Sequence, residues 1–325
     1  MKNKKNIVVF GGGTGSSTLL KGLVKLENVQ VTAVLAAFDD GGSGGKLREQ
    51  LHILPPGDPR VCLAATTEYE ELLNYRFQEG DLRGHTVGNI ILAGLEKIKE
   101  NMSEALAEAT TLFHAPLTIL PVTEEQAHLF VILEEGSIVK GEDTVSNFPP
   151  EGKMAKENVK KVELTPKPKA NPLVIKAIAQ ADLILIAPGN LYASCLSHFL
   201  VKGVPEAIKK SKAKKVYVSN IFTKWGHLHY TAQDFVNEIQ KFVSVDYVLV
   251  NNAKPNKKVI EHYKKHNQYF VEADTEKIQG IKIIKDNFTH DTQLKQDVAD
   301  KVRREIIRHK YDKVVKHVSM MINHD

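Results

Sequence analysis

Three segments of this sequence, two of them glycine-rich, carry residue types that can hold phosphate. The first is Gly11-Gly12-Gly13-Thr14-Gly15-Ser16, directly after the apolar run Ile7-Val8-Val9-Phe10. Glycines let a backbone approach a phosphate closely and adopt conformations with positive φ. The helix predicted to follow adds free N–H groups and the positive end of its dipole. Gly12, Gly13, Thr14, Gly15 and Ser16 are therefore candidate ligands. The segment is only partly a dinucleotide fingerprint, because Ser16 stands where G-x-G-x-x-G has its last glycine. The second segment is Asp39-Asp40-Gly41-Gly42-Ser43-Gly44-Gly45-Lys46-Leu47-Arg48. An ordinary NAD site needs one acid at such a strand end. Here Asp39 and Asp40 could hold a ribose or nucleobase, bind a hydrated magnesium ion or act as a base. Gly41, Gly42, Ser43 and Gly44 form a second loop, and Lys46 and Arg48 could meet phosphate oxygens. The third segment runs from Ala187 to Ser194 after the strand Leu183–Ile186 and offers Gly189, Asn190 and Tyr192. Asn190 could equally serve as an N-cap.

Weaker candidates lie at two further strand ends. Asn220, Thr223 and Lys224 follow Val216–Ser219, and Asn251-Asn252 follow Tyr247–Val250. Paired polar residues there suit a ligand cleft, or simply turns. In Gly84-His85-Thr86-Val87-Gly88-Asn89, His85 could be an acid/base or phosphate donor and Asn89 a ligand contact; capping and packing explain them equally well. Trp225, His227 and His229 alternate, but a metal site would need a third ligand. Cys62 and Cys195 have no evident base partner and no CxxC spacing, so packing, not zinc or nucleophilic chemistry, is expected of them.

The elements that must position these residues follow an α/β rhythm. Ile7–Phe10, a helix over 16–26 and a strand Val31–Phe38 make a βαβ unit, which implies parallel pairing and a right-handed crossover. Helices are predicted over 46–51, 61–78 and, in two stretches, 88–111, with PPGDP at 55–59 as a turn. Strand Leu117–Leu120 and a hairpin His128–Leu133/Ser137–Gly141 come next. Residues 116–172 read as an irregular excursion with strand-like Lys161–Leu164. The rhythm then resumes: helix 172–180, strand Asp182–Ala187, a helix from 190, strand Lys215–Ser219, helix 231–241, strand Asp246–Val250 and a short strand over 281–284. A basic helix over about 291–320 closes the chain. The expected fold is one α/β domain over 1–325, a modified Rossmann-like, mostly parallel sheet with helices on both faces and a small hairpin excursion. In such sheets ligands bind beyond the carboxyl ends of the strands.

Composition narrows the function classes. The 325 residues carry 44 Lys+Arg and 39 Asp+Glu, and residues 251–325, with 16 and 11 of these, account for the whole net charge of +5. Because those bases are interleaved with acids and lack aromatic alternation, a nucleic-acid arm is not expected. A hydrophobic share of 42% with 26% charged residues is ordinary globular usage. No stretch approaches the ~20 apolar residues of a membrane helix, and the sparse cysteines suit a reducing compartment. A cytoplasmic protein without an integral membrane segment is expected, and a homo-oligomer is possible.

Six blocks in order carry a family resemblance: GGGTG at 11–15, DDGGSGGKLR at 39–48, LPPGDPR at 54–60, GHTVGN at 84–89, ADLILIAPGNLYAS at 181–194 and VYVSNIFTKWG at 216–226. Together they resemble the CofD-like superfamily, on the branch of YvcK-type gluconeogenesis factors, from about residue 6 to at least 252. The resemblance implies a ligand site at the strand carboxyl ends. In the transferase branch that site joins a phospholactyl group from a guanosine diphosphate-activated donor to a deazaflavin acceptor, with magnesium. In the YvcK-type branch it is associated with UDP-sugars such as UDP-N-acetylglucosamine, with no cofactor required, and with growth and cell shape on gluconeogenic carbon sources. The family's glycine loop maps onto Gly12, Gly13, Thr14 and Gly15, its acid-glycine loop onto Asp39 to Arg48, and its PGS-type loop onto Gly189, Asn190 and Tyr192. Tyr263 sits where the branch has a ligand-contacting tyrosine. APGNLYAS departs from the usual GPGSLYTS, NIFTKWGHL from NLMTQPGET and GDPRVCL from GDIRNCL. Thr289-His290-Asp291 stands where the family tends toward Arg-His-Asp, so a basic diphosphate contact is missing or supplied elsewhere. The leading expectation is a nucleotide-sugar-binding regulator without turnover. The alternative is a phospholactate transferase using magnesium, with Asp39 or Asp40 at the chemistry.

Overall fold

The computed structural model describes residues 4–149, 152–275, 280–291 and 307–323. Seven parallel strands form the main sheet: β1 (Lys5–Gly11), β2 (Val29–Leu35), β3 (Thr118–Pro121), β7 (Leu183–Ile186), β8 (Lys214–Val218), β9 (Tyr247–Asn251) and β10 (Lys282–Asp286), numbered in chain order with the small-sheet strands β4 to β6 described below. Their order across the sheet is β10-β9-β8-β7-β1-β2-β3. The chain moves outward one way from β1 and the other way from β7, so the topological switch point lies between them. Right-handed crossovers in opposite directions place helices on opposite faces. The burial of every residue in Leu183–Ile186 and in Ile7–Phe10 shows that both faces are covered. That is why these strands read as unbroken apolar runs.

Gly22 lets the closing helix, Tyr311–Asn323, come close to the helix Gly13–Leu23; a Cβ there would meet Tyr311 and Val315. The excursion is an ordered antiparallel sheet, β5-β4-β6, of β4 (His128–Leu133), β5 (Ile138–Lys140) and β6 (Val159–Thr165). Leu129, Val131 and Leu133 alternate inward to the main core. Its edge is tied to the loop after β8, where Trp225 stacks on Phe148 with ring centroids 4.1 Å apart and donates Nε1–H to the Met154 carbonyl.

Several expectations need correction. Residues 61–78 do not form one helix: Gly57–Ala65 and Glu70–Asn74 are separate, and the first begins inside the predicted PPGDP turn because Pro56 and Pro59 fit a helix start, where no backbone donor is lost. A continuous helix over 291–320 is not formed. β11 (Thr289–Asp291) pairs antiparallel with β12 (Ile307–His309), and the helix starts only at Tyr311. Ile307 is held extended because its side chain is buried with Phe222 and Tyr263 while its N–H donates to the Tyr263 hydroxyl at 3.0 Å. The periodic positions Leu294, Val298, Val302 and Ile306 lie outside the described residues. The helix Lys257–Lys264 was not legible, since Tyr263 is its one buried residue. Among the described residues no helix is long and apolar enough to cross a membrane.

Candidate functional site

A cleft of about 980 Å³ opens beyond the strand carboxyl ends at the switch point. The turns after β1, β2 and β7 all line it. Gly15 is required by their approach: a Cβ would run into the Pro188 carbonyl of the loop after β7. Gly13 and Gly12 face Asp58, which reaches them from the helix Gly57–Ala65. The helices Gly13–Leu23 and Gly42–Leu51 start from Gly12 and Gly41 with no side-chain cap and no acid in the first turn. Four helices elsewhere are capped by Asn101, Asn171, Thr231 and Asn256, while Glu70–Asn74 and Val204–Lys210 also lack a side-chain cap. At the cleft, the two glycine-led helices leave first-turn N–H groups uncapped where the glycines admit an anion.

Asn190 is fixed in one orientation. Its Oδ1 accepts from Tyr192 N and Ala193 N, each at 3.1 Å, as the cap of the π-helical turn Leu191–Leu196. Nδ2 must then point the other way. The residue lines the cleft, is 5% exposed, and its Nδ2 has no partner among the described residues. A buried amide donor left unpaired costs about 1–3 kcal/mol. Asn220 braces the neighbouring loop, with Nδ2 donating to the Gly189 carbonyl and Oδ1 accepting from the Tyr217 hydroxyl.

Carboxylates crowd the other side. Asp39 accepts from Gly41 N at 2.9 Å, yet burial, followed by the charge of Asp58, pushes its pKa up to about 7. Burial and the charge of Asp39 hold Glu142 well above the usual carboxylate range despite a 2.7 Å bond from Ser146. Glu142 and Asp143 arrive on a short helix after β5, and Asp143 N donates to Asp40 Oδ1 at 2.9 Å.

A directed chain of hydrogen bonds runs along the wall. Arg60 Nε donates to Asn89 Oδ1, so Asn89 Nδ2 donates to Ser43 Oγ at 2.9 Å. Ser43 Oγ in turn shares a hydrogen bond of 3.0 Å with His85 Nδ1. Burial, then the charges of Lys46 and Arg76, lowers the His85 pKa.

Of the residues singled out in the sequence, Gly12, Gly13, Thr14, Gly15, Asp39, Asp40, Gly41, Gly42, Ser43, Gly44, Lys46, Asn89, Gly189, Asn190, Asn220 and Tyr263 line the cleft. Ser16, Arg48, Tyr192, Thr223 and Asn251 do not. Arg48 turns inward and donates to the carbonyls of Phe38, Asp39 and Ala127. Lys46 and Arg48, two apart on a helix, cannot share a face. Ser16 is fully buried behind Gly11. Tyr192 donates to the Gly226 carbonyl, Thr223 Oγ1 accepts from Tyr269 N, and Asn251 bridges Phe288 N and the Ala253 carbonyl. Tyr263 is stacked on Phe222 at 3.9 Å. Thr289 bonds Asn287, away from the cleft; Ile307 and His309 of the partner strand line it instead. Burial pushes His227 down to about 3, and its Nδ1 accepts from Lys224 N. Among the described residues no group of three or more His, Cys, Asp or Glu side chains is arranged for a metal ion.

Sequence reading missed Asp58, Arg60, Arg76, Arg83, Glu142, Asp143 and His309, all on the cleft. The motif GDPR held the signal for Asp58 and Arg60, as an acid and a base at a helix start.

The sequence matches the family described as "2-phospho-L-lactate transferase CofD" over residues 7–289. The gluconeogenesis factor of Halalkalibacterium halodurans is 40% identical over 324 residues, covering 96% of this chain and 94% of that protein. The gluconeogenesis factor of Bacillus subtilis is 38% identical over 299 residues, 88% of this chain and 92% of that one. A crystal structure of a UPF0052-family protein from Bacillus halodurans superposes with a TM-score of 0.88 at 36% identity, over 97% of this chain and 99% of that chain. With six motif blocks on one cleft, a switch-point sheet and these relatives, the chain belongs to the CofD family, alongside proteins named gluconeogenesis factor.

Proposed function

We propose that the cleft binds a nucleotide-sugar of the UDP-N-acetylglucosamine type without turning it over, and that the protein thereby supports growth and cell shape on gluconeogenic carbon sources. The observation that carries this reading is the pair of uncapped helix starts, at Gly13 and Gly42, opening on the same cleft as the unpaired Asn190 donor. A diphosphate supplies the acceptor oxygens that these donors lack. Ile221 and Phe222 give an apolar wall on which a base can rest. The relatives' name supports the cellular half of the reading. Isothermal titration with UDP-N-acetylglucosamine tests the molecular half: saturable heat at micromolar ligand is expected, and none at millimolar ligand refutes it. For the cellular half, a deletion strain should fail on a gluconeogenic carbon source, grow on glucose, and recover with this chain. Normal growth on both refutes that half.

One observation favours a second reading, a phospholactate transferase acting on a deazaflavin acceptor. The Asp39 carboxyl, near 7, is poised to take a proton at neutral pH. A magnesium ion would fit here only with one or two of Asp39, Asp40 and Asp58 plus phosphate oxygens and water; its positive charge would oppose the burial and the Asp58 charge that raise Asp39. In that reading the ion supplies neutralisation of a diphosphate leaving group. Product formed from a guanosine diphosphate-activated phospholactyl donor and deazaflavin with magnesium would establish it, and no product would exclude it.

A further inference from the structure

The backbone from 75 to 87 folds into a side hairpin that belongs to none of the three sheets. Phe77 N donates to the His85 carbonyl, Gly84 N to the Phe77 carbonyl and Val87 N to the Tyr75 carbonyl, at 2.8–3.0 Å. The tip turns at Gly80 and Gly84, both with positive φ, where Arg83 N meets the Gly80 carbonyl. Two side chains set its position. Arg76 Nη1 donates to the Gly84 carbonyl at 2.6 Å and so struts the hairpin from inside. His85 bonds Ser43, which pins its base to the second glycine loop.

This scaffold presents Arg83 to the cleft. Other cleft arginines are committed: Arg60 to Asn74 and Asn89, Arg76 to Gly84. The Arg83 guanidinium has no hydrogen bond or ion pair with the described residues, although carboxylates line the same cleft. A planar fork held at a cleft edge with its donors unspent matches two oxygens of a phosphate or carboxylate.

We propose that Arg83 is the specificity-determining cation of this site, gripping an anionic group of the bound nucleotide-sugar, and that Arg76 and the His85–Ser43 bond are the positioning groups behind it. The inference rests on the nucleotide-sugar reading above. It supplies a basic contact from a segment distant from 289–291. The anionic group is either the β-phosphate or an acid on the sugar.

The test is titration of wild type, R83K and R83Q with UMP, UDP, UDP-N-acetylglucosamine and UDP-glucuronate. R83Q should weaken the preferred ligand by roughly 10- to 100-fold, and R83K should recover only part, since it keeps the charge without the fork. Loss for all three diphosphates but not UMP assigns the β-phosphate; loss confined to UDP-glucuronate assigns a sugar acid. Arg83 is exposed, so the melting temperature should not move. Equal affinities of wild type and R83Q overturn this inference alone. Absence of binding by wild type at millimolar ligand overturns the nucleotide reading and the inference with it.

Discussion

Gly15→Ala separates a binding role for the cradle from a merely structural one. Gly15 lies in the first turn of the helix Gly13–Leu23. A Cβ there would meet the Pro188 carbonyl oxygen head on and lie 3.0 Å from its carbon. Carbon contacts are comfortable at ~3.5–4.0 Å, so the loops after β1 and β7 must part by roughly 1 Å. Overpacking of this kind costs about 1–3 kcal/mol, against which alanine regains up to ~1 kcal/mol of helix propensity. Net destabilisation should therefore be about 0–2 kcal/mol. Binding should suffer more. The same displacement moves the first-turn N–H groups away from the Asn190 donor, and each charge-assisted bond lost is worth about 1.5–3 kcal/mol. A fall in affinity of ~100-fold is expected. Chemical denaturation and titration with UDP-N-acetylglucosamine, run side by side, read the two numbers. Gly94→Ala is the control, because Gly94 is exposed in the helix Val87–Lys99 with nothing near its added Cβ. It should gain ~0.5–1 kcal/mol with affinity unchanged. If Gly15→Ala is destabilised but binds like wild type, the two loops do not hold the ligand jointly and the reasoning fails.

Asn190→Asp keeps the Oδ1 cap and gains from the helix start, but its second carboxylate oxygen is buried without a partner, so stability should be equal or lower by about 1–3 kcal/mol. It replaces the buried donor with an acceptor facing phosphate, so affinity should drop at least ~10-fold; unchanged affinity by titration would show that Nδ2 is not used. Glu96, whose Oε1 accepts from Leu54 N, is raised to about 7 by burial, so below that pH it folds neutral and above it carries a buried charge. Glu96→Gln should match wild type near pH 5 and exceed it above pH 7. The full shift corresponds to about 3 kcal/mol, reduced by solvent access to about 1–2 kcal/mol. Denaturation midpoints that run parallel across pH would refute that assignment.

How much was readable from sequence follows from how local each signal is. Strands buried on both faces announce themselves as apolar runs, and the glycine turns that follow β1 and β2 need no partner to be recognised. Their placement on one cleft follows once the strands are parallel and the order reverses between β1 and β7. Residue direction was harder. Arg48 and Tyr192 each sit two positions from a cleft residue, Lys46 and Asn190, and helical phase alone turns them inward. Thr223 and Asn251 look like ligand contacts because strand ends favour them, but their polar atoms satisfy backbone groups brought near by folding. The charges of the site were the least legible. Asp58, Arg83 and Glu142 come from a helix start, a hairpin tip and the far end of a small sheet, and no periodicity marks them. Their meeting is a product of topology, and it decides the chemistry. Asp39 is raised toward neutrality by burial and by Asp58, nineteen positions away, an effect absent from the strand that carries it. Under the proposed reading, acids that perturb one another across segments, facing an arginine with its donors unspent, would discriminate ligands by charge placement, which the motif blocks alone do not specify.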